Sequence, residues 1–382
     1  MSSPTVRHPG EFRWETRLLG VVTLALTCFG VANCLAAGTY MESSYREATQ
    51  QALAAVVGGA VFIVAAYMDY QIWRKIAKPL MMLTLAGLII IAIPAVIWHK
   101  RAAPAIIENF FPLHLGARRW LRLGVQIQVS EIARFTLAAY LAARLAEMGT
   151  KVRSLQGGFL SLMGLIGLTA LLIAVEPSIT MSIVIAVIGA AVLFTAGARI
   201  AHLLVPVAGG VAALAAVLVI DPVRAARFLS FKQPCDDLDQ VCNSLIGFGN
   251  GGLIGTGFGK GNAKLGHLPF SYSDFLLSVV GEEWGFVGIA FVALLFTLFC
   301  WMGFRIARTA RDPFGTYLAS ALTLGIGVSA CMHAAVVINL MPATGLTLPF
   351  MSAGRVSLIL CMLSAGVIVS IGRQRGRPAR SG

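Results

Sequence analysis

Apolar residues gather in ten long runs, near 17–37, 51–68, 79–97, 128–146, 157–174, 178–197, 201–220, 274–301, 316–340 and 353–372. No other feature narrows the possible folds so far. A helix needs about 20 mainly apolar residues to cross a bilayer, and lipid admits only helices or closed barrels because backbone groups find no water there. The runs therefore predict an all-α integral membrane protein of about ten transmembrane helices. Composition agrees, since 57% of the 382 residues are hydrophobic and only 12% are charged. Soluble chains average about a quarter charged residues and disordered chains are still less apolar, which excludes both classes. Residues 1–16 read as a polar N-terminal segment, 17–372 as one membrane unit and 373–382 as a basic tail. The first run is long and lacks a small-residue cleavage site, so it is expected to be a retained span and not a signal peptide.

The net charge of +13 would point to nucleic acid in a soluble protein. Here the basic residues sit in short loops between runs, so they read as topology signals and contacts to membrane lipids, and no nucleic-acid partner is expected. With the N-terminus in the cytoplasm, Arg74, Lys75, Lys78, Arg144, Lys151, Arg153, Arg305, Arg308, Arg311 and the Arg373–Arg380 tail all fall on the cytoplasmic side. The positive-inside rule thus favours both termini there. Two long outer segments, roughly 98–127 and 221–273, carry nearly all of the outer positive charge, including Arg118, Arg119, Lys260 and Lys264. Outer cations are unhelpful for topology unless they meet an anion, and phosphate is the natural candidate. The second segment, a large loop between helices 7 and 8, is glycine-rich from Gly247 to Gly261, which suits water or a protein cavity and not lipid.

Ionisable groups inside spans are costly and mark functional hypotheses. Gln128, Glu131 and Arg134 share one helix face at the start of the fourth run, as either a buried ion pair that fixes packing or a substrate contact. Glu176, before Pro177, reads as a turn residue. Ser271, Asp274, Ser278 and Glu282 have the spacing of one stripe along the eighth run. Asp274 at its mouth is either a general base raised by partial burial or a carboxylate lowered by the helix macrodipole. Gly247, Gly249 and Gly252 match a dinucleotide fingerprint only in letters, with no preceding strand, and the histidines lack metal-binding spacing. Cys28, Cys34, Cys300, Cys331 and Cys361 lie in apolar runs as small hydrophobes. Cys235 and Cys242 flank Asp236, Asp237 and Asp239, and on the outer face they are either a local disulfide or two free thiols.

Taken together, the motifs resemble the SEDS family (shape, elongation, division and sporulation), typified by FtsW and RodA. Those that carry the resemblance are Asp69-Tyr70 with Arg74-Lys75, Gly116-Ala117-Arg118-Arg119-Trp120, Gln128-Val129-Ser130-Glu131 with Arg134, and Glu176-Pro177-Ser178. They continue through Gly251–Gly257, Leu268-Pro269 with Ser273-Asp274-Phe275, Gly281–Gly288, and Asn339 with Pro342–Ser352. The resemblance implies ten helices with both ends cytoplasmic and a peptidoglycan glycosyltransferase that polymerises lipid II at the outer face of the bacterial plasma membrane. Lys264–Pro269 looks closer to the FtsW branch, which implies septal synthesis during cell division. Implied partners are a class B penicillin-binding protein transpeptidase and other divisome membrane proteins.

On that resemblance Asp274 is the catalytic base. Arg118 and Arg119 are suited to clamp the pyrophosphate, with Trp120 beside them as an interfacial residue, and lipid-headgroup anchoring is the competing role for all three. Gln128, Ser130, Glu131, Lys260, Lys264, Ser352 and Arg355 complete the expected substrate-binding set. No cofactor with a dedicated site is expected, although a divalent cation, Mg or Mn, could accompany the pyrophosphate. The chain departs from the family with Val129 for Pro, Arg134 for Lys, Phe270 for an acid, and Ala353-Gly354-Arg355-Val356-Ser357 for an aromatic followed by Gly-Gly-Ser-Ser. Arg355 reads as a further phosphate contact or as the mark of a divergent paralogue. Two competing functions are a lipid-precursor flippase using Glu131, Arg134 and Glu282, and a non-catalytic divisome scaffold.

Overall fold

The computed structural model describes residues 13–38, 42–98, 103–113, 118–154, 158–176, 178–199, 240–261, 272–342 and 345–375, with a few isolated positions between 202 and 235. The chain runs through α1 (Arg13–Gly38), α2 (Glu42–Tyr67), α3 (Gln71–Ile97), a short α4 (Ala105–Phe110) and a hairpin of β1 (Leu121–Leu123) and β2 (Val125–Ile127). Then come α5 (Val129–Met148), α6 (Leu160–Val175), α7 (Ile179–Thr195), α8 (Gln240–Gly251), α9 (Leu276–Arg308), α10 (Pro313–Val337) and α11 (Arg355–Arg373). Six of these, α1, α2, α3, α9, α10 and α11, are long and apolar enough to cross a membrane, and α6 and α7 are shorter apolar helices. Most of the apolar run at 201–220 lies outside the described residues.

Several helices outlast their apolar runs. Arg74, Lys75 and Lys78, expected in a loop, lie in the first turns of α3, and Arg305 and Arg308 lie in the last turns of α9. Long basic side chains can keep their charge in the interface while their stems stay on the helix, so a charge does not end a span. The start of α10 is set by Asp312, whose side chain accepts from the Gly315 amide at 3.3 Å, with Pro313 at the first helical position.

α5 lies at the centre, touching α3, α6, α7, α10 and α11. Its small residues Ala133, Ala138, Ala139, Ala142 and Ala143 are all buried, which lets neighbours approach closely where lipid provides no hydrophobic drive. The same logic joins α2 to α11, where a Cβ on Gly366 would stand 2.6 Å from the Phe62 carbonyl oxygen. The start of α1 and the end of α11 meet on one face. Glu15 on α1 pairs with Arg305 of α9 and with Arg375 just past α11, both at 2.5 Å. Because α9 reaches that face at its C-terminus, its N-terminus and the preceding Asp274 belong to the opposite face.

The eighth run is not one regular helix. Gly285 breaks α9 with φ 63 and ψ −158, a backbone that only glycine adopts readily. The glycine-rich segment after α8 repairs the break. Thr256 and Gly257 amides donate to the Glu282 and Glu283 carbonyls at 2.9 and 3.0 Å, and Phe286 and Val287 amides donate to the Gly252 and Leu253 carbonyls at 2.9 and 3.2 Å. Protein thus satisfies the non-helical backbone, while Leu253, Ile254 and Phe258 of the segment are exposed, so it packs on the break and does not enclose a cavity among the described residues.

Candidate functional site

Asp274 does not extend the α9 stripe expected from its spacing. It sits in a turn at 272–275, ahead of Phe275, whose φ of −128 and ψ of 23 stand outside the helix. Ser278 and Glu282 are buried on the first part of α9, where Ser278 Oγ donates to the Ser244 carbonyl at 3.1 Å, while Ser271 lies outside the described residues. The turn frees the carboxyl from the helix face and turns it toward the segment 345–354. Gly345 marks the meeting point: a Cβ there would stand 3.5 Å from Asp274 Oδ2 and 3.6 Å from an Arg119 guanidinium nitrogen. Burial pushes the Asp274 carboxyl up to about 6, while the Arg119 charge and a hydrogen bond from Ser273 pull it the other way. A half-buried carboxyl with raised proton affinity therefore stands beside a cation.

The two adjacent arginines have different surroundings. Arg118 is buried, donating to the Phe111 carbonyl at 2.6 Å and pairing with Glu108 at 2.8 Å, so it braces the end of α4. The Glu108 carboxyl is held below its usual range by the Leu113 amide first and by Arg118. Arg119 alone of the pair faces Asp274. Trp120 is half-buried beside it and leads into the β1–β2 hairpin, which turns at Gly124 with φ 77 and pairs Arg122 with Gln126.

The wall opposite is the chain from Gly345 to Gly354. Ser352 Oγ accepts from the Leu348 amide at 3.0 Å, and the Ser352 carbonyl accepts from Gln51 Nε2 at 2.7 Å. Gln51 Oε1 in turn accepts from the Gly354 amide at 3.1 Å, and the Ala353 amide donates to the Tyr272 carbonyl at 2.9 Å. Phe350 is held at φ 65 with its ring 5.3 Å from that of Phe299. A bulky residue in the left-handed region costs about 1–3 kcal/mol, a strain concentrated at functional segments. Arg355 opens α11 next to this wall, half-buried and with no partner among the described residues.

Other candidates lie elsewhere. Glu131 and Arg134 form a buried ion pair at 3.1 Å, with Arg134 also donating to Ser329 Oγ at 2.9 Å and approaching Cys361 Sγ at 3.6 Å. The pair joins α5 to α10 and α11, as the packing reading expects, and leaves the substrate-contact reading untested. Gln128 precedes α5 with its carbonyl accepting from Glu131, and the Ser130 hydroxyl is buried without a partner among the described residues. Lys260 is exposed at the end of the glycine-rich segment, near the Glu282 and Glu283 side and not in the Asp274 turn; Gly259 donates to Glu283 Oε2 at 3.0 Å. Lys264 and Phe270 lie outside the described residues. Glu176 is buried at the α6–α7 turn with neither carboxyl oxygen bonded among the described residues. Cys235 and Cys242 form a disulfide. No group of three His, Cys, Asp or Glu side chains is placed to hold a metal among the described residues. Gln51 and Tyr272 were missed by sequence reasoning, although a glutamine at the edge of an apolar run is a signal that could have found the first.

The FtsW/RodA/SpoVE cell cycle protein family matches residues 16–377. The chain belongs to that family. A Geobacter metallireducens relative named probable peptidoglycan glycosyltransferase FtsW is 32% identical over 369 residues, covering 94% of this chain and 95% of the relative. Stage V sporulation protein E of Bacillus subtilis is 31% identical over 366 residues, covering 93% and 96%. Among solved structures, a chain from a peptidoglycan synthase complex that coordinates polymerization and crosslinking superposes with a TM-score of 0.75 at 23% identity, covering 94% of this chain and 98% of its own. The sequence resemblance and the multispanning all-α fold therefore stand.

Proposed function

We propose that this FtsW/RodA/SpoVE family member is a peptidoglycan glycosyltransferase that polymerises lipid II at the outer face of the bacterial plasma membrane, in septal wall synthesis. The observation that carries this is the Asp274 carboxyl beside Arg119, on the face opposite the start of α1 and the end of α11. The Cys235–Cys242 disulfide supports that face as the outer one, since disulfides persist in oxidising compartments. A base poised near neutrality suits abstraction of a proton from a sugar hydroxyl. Asp274 takes the proton of the acceptor 4-hydroxyl as its oxygen bonds to the donor anomeric carbon. The bond from that carbon to the pyrophosphate oxygen breaks with inversion, and undecaprenyl pyrophosphate leaves with the electron pair. In this reading Arg119 stabilises the charge growing on the leaving group, supported by its closeness to Asp274, and Arg355 at the start of α11 is a second cation.

One carboxylate suffices for this single displacement, so the Phe270 substitution removes nothing the scheme needs. A divalent ion would arrive with the pyrophosphate; the described residues around Asp274 include no group of three metal-binding side chains, and no step is routed through it. A class B penicillin-binding protein transpeptidase is the proposed partner that crosslinks the product. Transport through Glu131, Arg134 and Glu282 gains no support, because the first two are occupied by each other.

The decisive assay uses the purified protein with its transpeptidase and labelled lipid II. Wild type is expected to form glycan polymer and Asp274→Ala to lose it by about 100-fold or more, the usual scale of general-base catalysis. Polymer from Asp274→Ala at the wild-type rate overturns the base assignment. No polymer from intact wild-type complex overturns the enzymatic reading.

A further inference from the structure

His333 is fully buried near the outer end of α10, where an ionisable ring is costly to place. Its Nδ1 lies 2.7 Å from the Leu346 carbonyl oxygen. Since that oxygen only accepts, Nδ1 carries the proton and donates. Nε2 is then a bare acceptor, and it has no partner among the described residues. A ring that satisfies only one of its nitrogens is a poor choice for packing alone, because a buried polar atom without a partner is destabilising.

Leu346 adjoins Gly345, the point where the wall meets both Asp274 and Arg119. Further along, the wall is fixed by Ser352 on the Leu348 amide and by Gln51 on both sides of Ala353. Among the described residues the His333 bond holds the wall at Leu346, next to the carboxyl and guanidinium, with the Thr347–Ser357 hydroxyl pair following at 3.2 Å. We propose that His333 is a positioning residue for Asp274 and Arg119, acting through the Leu346 carbonyl to hold Gly345 against them; the proposal rests on the polymerase reading above. A reacting pair displaced by about 1 Å can lose about 100-fold in rate without losing substrate binding, so a fixed wall acts on turnover more than on affinity.

The test compares three variants that differ in where they put a donor. An asparagine amide nitrogen falls near the place of Nδ1, whereas a glutamine amide reaches the place of Nε2. In the complex with the transpeptidase, His333→Ala and His333→Gln are expected to lower kcat for lipid II polymerisation by about tenfold or more with KM within about twofold, and His333→Asn to stay within about threefold of wild type. Backbone amide exchange over residues 345–352 is measured on the same samples and is expected to quicken in the Ala and Gln variants only. If Ala fails to fold, the Asn and Gln pair decides. Equal kcat in Asn and Gln, or unchanged kcat in Ala, overturns the proposal. If wild type forms no polymer, the polymerase reading fails by itself; exchange that is uniform across the variants then overturns the His333 bond as a fixing point, and exchange that separates Asn from Gln retains it.

Discussion

A carboxylate at the first turn of a long helix ordinarily feels the helix macrodipole and becomes a weaker base. Asp274 stands just ahead of the capping residue Phe275 and of α9, which begins at Leu276, where that field is still felt, yet burial opposes it. Burial then dominates, and its carboxyl rises from the ordinary 3.8 to about 6. The base form is the deprotonated one, so activity is lost as pH falls through that value. A pH–rate profile should show turnover at pH 5 reduced about tenfold from its plateau, as expected for a base half-protonated one pH unit higher. Arg119→Gln removes a cation that lowers the carboxyl, so its acidic limb should move to higher pH. A limb that stays put or moves down would detach Arg119 from Asp274.

At the scale of elements, the break in α9 and the glycine-rich segment are one unit. A Cβ on Gly255, at φ 87, would lie 2.2 Å from the Glu283 carbonyl oxygen, whereas Gly252, at φ 51, has open space around its Cβ position. Gly252→Ala should cost only the left-handed penalty of about 1–2 kcal/mol, and Gly255→Ala clearly more because backbone must also move. Thermal melting of the two variants in one detergent checks the order. The spans themselves were legible, since apolar runs report lipid directly. Helix ends were less so, because Lys75 and Arg305 continue helices past the runs that define them. The hairpin at 121–127 and the Gly285 break were hidden, as both depend on partners and backbone angles that no single run records. For the site, the motif around Asp274 pointed to the carboxyl that the fold sets beside Arg119. The division of labour between Arg118 and Arg119 was not visible, because it turns on Glu108 reaching back to the first of them.

Across the whole molecule, the Glu131–Arg134 pair ties the central α5 to α10 and α11. Removing one partner leaves a buried charge and should cost about 3–5 kcal/mol, while replacing both with apolar residues of similar size is often near neutral. Glu131→Leu is therefore expected to melt early, and the double variant Glu131→Leu with Arg134→Met to recover stability and polymerisation together. Recovery of stability without polymer would return the pair to the substrate path and favour transport. The repaired helix break bears also on how the chain is made. The peptide groups that Gly285 exposes are covered by residues 252–257, which leave the ribosome before α9 does. A nascent α9 thus enters the bilayer with its cover already synthesised. A permuted chain that began at α9 would have to insert the break bare.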